Sequence, residues 1–92
     1  MSNVFLSGQL VCGNQNEAVL VAEFLPVHIE LTRAEQGCLF FEVVVTENPL
    51  IWQVDEKFQD AESFRAHQLR VAESEWGRVT ANIDRHYEIK GI

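Results

Sequence analysis

The sequence predicts an α+β fold with the element order β-α-β-β-α-β. Short runs rich in Val, Ile and aromatic residues read as strands, and two stretches carry apolar residues at helical spacing. Turn-forming Gly, Asn and Pro residues punctuate the boundaries. Ninety-two residues make a single domain, taken here as residues 1–92. A domain this small buries only roughly 60–65 % of the surface its unfolded chain exposes. The hydrophobic fraction is nevertheless 47 %, so a partner subunit is expected to absorb apolar surface.

Asn3 to Cys12 reads as the first strand. Val4, Leu6, Gly8 and Leu10 share one parity, while Phe5, Ser7, Gln9 and Val11 share the other. Gly13-Asn14-Gln15-Asn16 is a turn able to cap a helix. Glu17 to Gln36 reads as that helix, with Ala18, Val21, Ala22, Leu25 and Ile29 as its core stripe. Pro26 removes a backbone donor inside this pattern and is expected to kink or divide the helix. Gly37 suits the residue just past the helix end.

Cys38 to Thr46 is the second strand, Glu47-Asn48-Pro49 a turn, and Leu50 to Phe58 the third strand, so these two form an antiparallel hairpin. Asp60 caps a second helix carrying Ala61, Phe64, Gln68 and Val71 at helical spacing, which Gly77 is expected to end or break. Ala81 to Ile89 is the last strand, with Ile83, Arg85, Tyr87 and Ile89 on one parity. This order is the ferredoxin-like split βαβ arrangement, in which both helices cover one sheet face. Apolar residues on both parities of the first two strands imply a cover on the other face, and two facing sheets supply one.

Fourteen acidic residues against seven basic give a net charge of −7. This argues against nucleic acid and anionic membranes as partners, since both need clustered Lys and Arg. No apolar run approaches the roughly 20 residues that span a bilayer. The N-terminal stretch lacks the basic start of a signal peptide. Cys12 and Cys38 form no CxxC and read as reduced, buried strand residues, which fits the cytoplasm. The histidines lack metal-ligand spacing, and no phosphate-cradling glycine loop occurs, so neither a metal nor a nucleotide or flavin cofactor is expected.

Glu56 is the leading candidate for chemistry. It shares a parity with Trp52, Val54 and Phe58, and a carboxylate on a buried strand face costs several kcal/mol unless paired. It is either an acid, base or substrate anchor with a raised pKa, or a structural group satisfied by Arg85 or a backbone amide. His67 follows Phe64 by one helical turn, and an imidazole there suits proton transfer or simple packing. His28 falls three residues after Leu25 and points inward. His86, between Asp84 and Glu88, reads as a surface or interface residue. Trp52 and Trp76 are aromatic walls, Trp52 on the face of Glu56 and Trp76 at a pocket mouth. Arg85, between apolar Ile83 and Tyr87, suggests a buried ion pair with Glu56 or Glu42, or a hold on a substrate anion.

Four motifs carry a family resemblance: Arg33-Ala34-Glu35-x-Gly37-Cys38, Phe41-Glu42-Val43, Val54-x-Glu56-x-Phe58 and Glu62-x-Phe64-x-Ala66-His67. Together, in this order, they resemble the antibiotic biosynthesis monooxygenase family, including its quinol monooxygenase-like members. The resemblance implies a dimeric α+β barrel and a pocket lined by His67. It also implies a cofactor-independent monooxygenase acting on an electron-rich aromatic or quinol. In that reading His67 and Glu56 are catalytic, and Trp52, Phe58, Phe64, Trp76, His28 and Arg85 contact substrate. Phe58 stands where members often carry Trp, so haem oxygenation is not expected. The same scaffold also hosts isomerases and non-catalytic or stress-related dimeric modules that hold a small ligand, which remain the alternatives.

Overall fold

The structure is a computed structural model that describes residues 2–92. Four strands, β1 (Val4–Val11), β2 (Cys38–Val45), β3 (Ile51–Phe58) and β4 (Asp84–Lys90), form one antiparallel sheet in the order β2-β3-β1-β4. Helices α1 (Gln15–Arg33), α2 (Ala61–Glu73) and α3 (Glu75–Val79) join them. This is the expected split βαβ order with one short helix added.

α1 begins two residues earlier than Glu17 because the Asn14 side chain accepts from the Glu17 backbone amide at 2.9 Å. It ends three residues before Gln36, with Ala34 as its cap. Glu35 and Gln36 therefore lie in the turn. Gly37 comes after that turn, at φ 93°, and a side chain there would overlap Ser63 at the start of α2. Only glycine meets both demands. Pro26 does not divide α1, which runs unbroken through it. Val21, Leu25, His28 and Thr32 are the buried stripe of α1, while Ala22 is exposed. The stripe is thus rotated from the expected one and brings two polar side chains inward.

α2 starts where Asp60 accepts from the Ser63 amide at 2.8 Å. It ends at Ser74 rather than Gly77. The Ser74 hydroxyl donates to the Val71 carbonyl at 2.7 Å and accepts from the Gly77 amide at 3.0 Å, closing one helix and capping the next. Gly77 lies inside α3, and a side chain there would overlap the Val71 carbonyl. Glycine thus lets α3 fold tightly against the end of α2 and bury Trp76. The last strand starts at Asp84, three residues later than expected, because Thr80 to Ile83 form a hydrogen-bonded turn.

The core lies between the helices and the inner face of the sheet. Phe41, Val43, Val54, Phe58, Leu6 and Leu10 point into it. Alternation in β1 and β2 leaves Phe5, Phe40 and Val44 on the outer face, 45 %, 48 % and 47 % exposed. His86 is exposed on the same face. Cys12 is buried, Cys38 only half-buried, and both are free thiols. Burial pushes both thiols up, away from the reactive thiolate. Among the described residues no helix is long and apolar enough to cross a membrane.

Candidate active site

A cavity of about 140 Å³ lies between the sheet and the helices. Gly8, between Val54 and Tyr87 in the ladder, contributes no side chain to the inner face. Its backbone lies so close to β4 that any Cβ would overlap the His86 carbonyl. Phe41, Val54 and Trp76 give the cavity apolar walls. Glu56, His67 and His28 are the buried polar side chains bordering it, 8 %, 3 % and 5 % exposed. Gln68 and Arg85, both exposed, form its rim.

His67 is brought inward by the stripe of α2, where only it and Phe64 are buried. Its Nδ1 lies 2.7 Å from Glu35 Oε1. A carboxylate only accepts, so Nδ1 carries the proton and donates. Glu35 is itself gripped by the Arg70 guanidinium through Nε, and Arg70 Nη2 donates to Thr32 Oγ1 at 3.0 Å. Phe58 supports the imidazole from behind, with ring centroids 4.8 Å apart. This clamp leaves Nε2 with a free lone pair facing Glu56 Oε1 at 3.7 Å. Burial pulls the His67 pKa down, and the Glu35 carboxylate partly opposes that.

Glu56 points from β3 to the same space. Burial, then the negative charge of Glu35, raises its pKa from the ordinary carboxylate range to about 7. Its Oε1 is buried without a hydrogen-bond partner. The 3.7 Å gap to His67 exceeds a hydrogen bond. One hydroxyl oxygen at the apex of a triangle, roughly 2.8 Å from each atom, can reach both. Tyr87, half-buried, also lines the cavity, and burial keeps its phenol neutral with a pKa of about 12.

His28 forms a second border. Its ring stacks on Trp76 at 4.5 Å with 5° between planes, and Phe41 meets it edge-on at 5.3 Å. Its Nδ1 has no partner, and burial lowers its pKa to about 3. A neutral imidazole so placed is a flat wall.

The site thus gathers Glu56, His67, His28, Trp76 and Arg85. Three expectations are corrected. Trp52 has the parity of Glu56 but sits opposite Leu10 and Val45, outside the cavity lining. Four residues along a strand are about 13 Å. Phe58 and Phe64 pack edge-to-face behind His67 and do not line the cavity. Arg85 forms no ion pair with Glu56 or Glu42. It donates instead to the Thr80 carbonyl and hydroxyl, each at 2.8 Å, and to the Ile83 carbonyl. Register explains this: Arg85 stands opposite Leu10, four residues from the Leu6–Glu56 rung, and Glu42 points to the outer face of β2.

Glu35, Arg70 and Tyr87 were not expected at the site. Glu35 lies 32 residues before His67 and 35 before Arg70, so no local spacing could reveal the clamp. Gly8 inside an apolar strand marks the close approach of β1 to the β4 backbone, and no local pattern marks the cavity. Among the described residues no group of three His, Cys, Asp or Glu could hold a metal ion.

The model of the antibiotic biosynthesis monooxygenase family matches residues 13–71, more than half of the chain. The chain belongs to this family. No curated protein sequence matches it. Solved structures share the fold at low identity. A conserved protein from Methanosarcina mazei is 18 % identical at a TM-score of 0.77, covering 99 % of this chain and 93 % of its own. A proposed antibiotic biosynthesis monooxygenase from Deinococcus radiodurans is 18 % identical at a TM-score of 0.75, covering 97 % and 91 %. Another from Nitrosomonas europaea is 17 % identical at a TM-score of 0.74, covering 99 % and 89 %. The family match spans the hairpin, the Glu35 turn and His67, and ends at Val71. The part of the antibiotic biosynthesis monooxygenase fold that supplies Trp76, Arg85 and Tyr87 lies beyond it.

Proposed function

We propose that the protein is a cofactor-independent monooxygenase acting on an electron-rich, quinol-type ring. The observation that carries this reading is that Glu56 and His67 Nε2 border one small cavity with apolar walls and face each other across 3.7 Å with no hydrogen bond between them. A quinol supplies the electrons itself. His67 Nε2 takes the proton of a ring hydroxyl while Glu35 stabilises the imidazolium through Nδ1. Glu56, near half-protonated at neutral pH, binds the same hydroxyl. Dioxygen bonds to a ring carbon of the electron-rich phenolate. Cleavage of the O–O bond leaves one oxygen on the ring, and the other leaves as water with two protons. For a hydroquinone the sum is quinol plus O2 giving hydroxyquinone plus water, with the substrate losing all four electrons that reduce the two oxygen atoms. The apolar walls keep bulk water from the reacting ring.

Oxygen uptake by metal-free protein over a panel of hydroquinones tests this. Uptake above the protein-free blank, reduced on the order of a hundredfold or more in His67→Ala, is expected. No uptake for any member overturns it.

The proposal includes a second copy of the chain across the outer sheet face, where Phe5, Phe40 and Val44 stand exposed. An interface on the order of 2,000 Å² covers such a face. Sedimentation should report a dimer that Phe40→Glu dissociates, and a stable parental monomer would contradict it.

A further inference from the structure

We infer that the cavity is a one-ring site, built for a single neutral hydroxylated six-membered ring and closed to fused-ring quinols. This rests on the reading above for the kind of substrate but not for what happens to it. Four observations carry it. The first is size. The space is about 140 Å³, and a dry apolar cavity of about 150 Å³ holds one benzene. The space opens at the rim of Gln68 and Arg85, so a 1,4-dihydroxy ring set along the line from Glu56 to that rim carries a fused second ring sideways, into the walls.

The second is that the walls cannot yield cheaply. Trp76 is buried against His28 in a parallel stack, and Phe41 is buried edge-on to the same ring. Widening the space means displacing core side chains from packed positions, which is destabilising. The third is shape. The His28–Trp76 stack presents a flat surface, against which a planar ring lies better than an alicyclic one. The fourth is polarity. Glu56 Oε1 is buried and unpaired, and Tyr87 brings a neutral phenol. A hydroxyl at Glu56 and His67 satisfies the buried carboxyl. A second, across the ring, points toward the rim at Gln68 and Arg85. A carboxylate at the inner end would have to sit beside Glu56 with Glu35 behind His67, so the inner substituent is a neutral hydroxyl.

Anaerobic calorimetry and ligand-observed NMR with 1,4-dihydroxybenzene, 1,4-dihydroxynaphthalene and toluene test the inference. Excluding oxygen separates binding from turnover. Dihydroxybenzene should bind the parent protein at least about tenfold more tightly than dihydroxynaphthalene. Val54→Ala and, separately, Val71→Ala enlarge the space from two sides. Either should narrow that preference, with circular dichroism confirming that the variant is folded. The near-isosteric Glu56→Gln should change the affinity for dihydroxybenzene by a larger factor than that for toluene, which offers no hydroxyl to the position. Equal or tighter binding of the fused ring by the parent overturns the inference, as does the absence of binding by dihydroxybenzene. Binding of dihydroxybenzene without oxygen uptake supports this inference while overturning the monooxygenase reading, so the two fail separately.

Discussion

The two histidines that border the cavity are equally buried and held in opposite ways. At the α2 end, His67 is clamped by charge: Glu35 grips Nδ1, Arg70 grips Glu35, and Thr32 accepts from Arg70. At the α1–α3 end, His28 is held by contact alone, stacked on Trp76 with its Nδ1 unpaired. The difference separates two tasks. A ring that must exchange protons needs a fixed tautomer and a counter-charge for its protonated form, and Glu35 supplies both. A ring that must only shape a cavity needs a fixed plane, and an aromatic neighbour supplies that.

The largest effect should come from breaking the packed end. Trp76→Ala removes the surface against which His28 is ordered and should cost about 3–5 kcal/mol in urea unfolding. A loss below about 1 kcal/mol would mean that α3 is not part of the core.

The pH dependence of stability should then separate the two ends by sign. Glu56 is raised to about 7 in the folded chain, so its contribution is fully present below the unfolded value and is lost as pH rises through the folded one. Relative to the parent, Glu56→Gln should gain stability between about pH 4.5 and 7, by up to about 3 kcal/mol. His28 is lowered to about 3, so its contribution is present above its unfolded value and is lost as pH falls. His28→Phe, which retains an aromatic ring against Trp76, should gain on the parent as pH falls from about 6.5 toward 3. Equal slopes for the two variants would erase the distinction.

At the clamped end, Glu35→Ala leaves Arg70 and Nδ1 without their shared acceptor and should cost about 1–3 kcal/mol. Nitrogen NMR of the imidazole should show a loss of the Nδ1-protonated tautomer in that variant and none in Trp76→Ala. An unchanged tautomer would show that Glu35 does not orient the ring. The smallest effect belongs to the far end of the same chain of contacts. Thr32→Val removes one hydrogen bond to Arg70, should cost no more than about 1.5 kcal/mol, and should leave the tautomer as it was.

Much of the fold was legible because its signals are local. Parity placed Glu56 inside and His86 outside, and helical spacing turned His28 and His67 inward. The same signals misplaced Trp52, because parity says which face a strand residue occupies and not how far along that face the cavity reaches. They misassigned Arg85 because its partners are a turn hydroxyl and carbonyl oxygens, and every residue carries a carbonyl. Gly77 looked like a helix end because glycines often are. Here it permits the contact of α3 with α2, while Ser74 does the stopping.

By itself, the order of residues determined which side chains face the helical layer, since alternation and helical period act within a few residues. Only the tertiary structure decided that a turn carboxylate would meet an imidazole 32 positions away, and that Glu56 from β3 would face the same imidazole across a cavity. Such pairings depend on strand register and helix placement. Those are set by the packing of the whole core, which no short stretch of chain encodes.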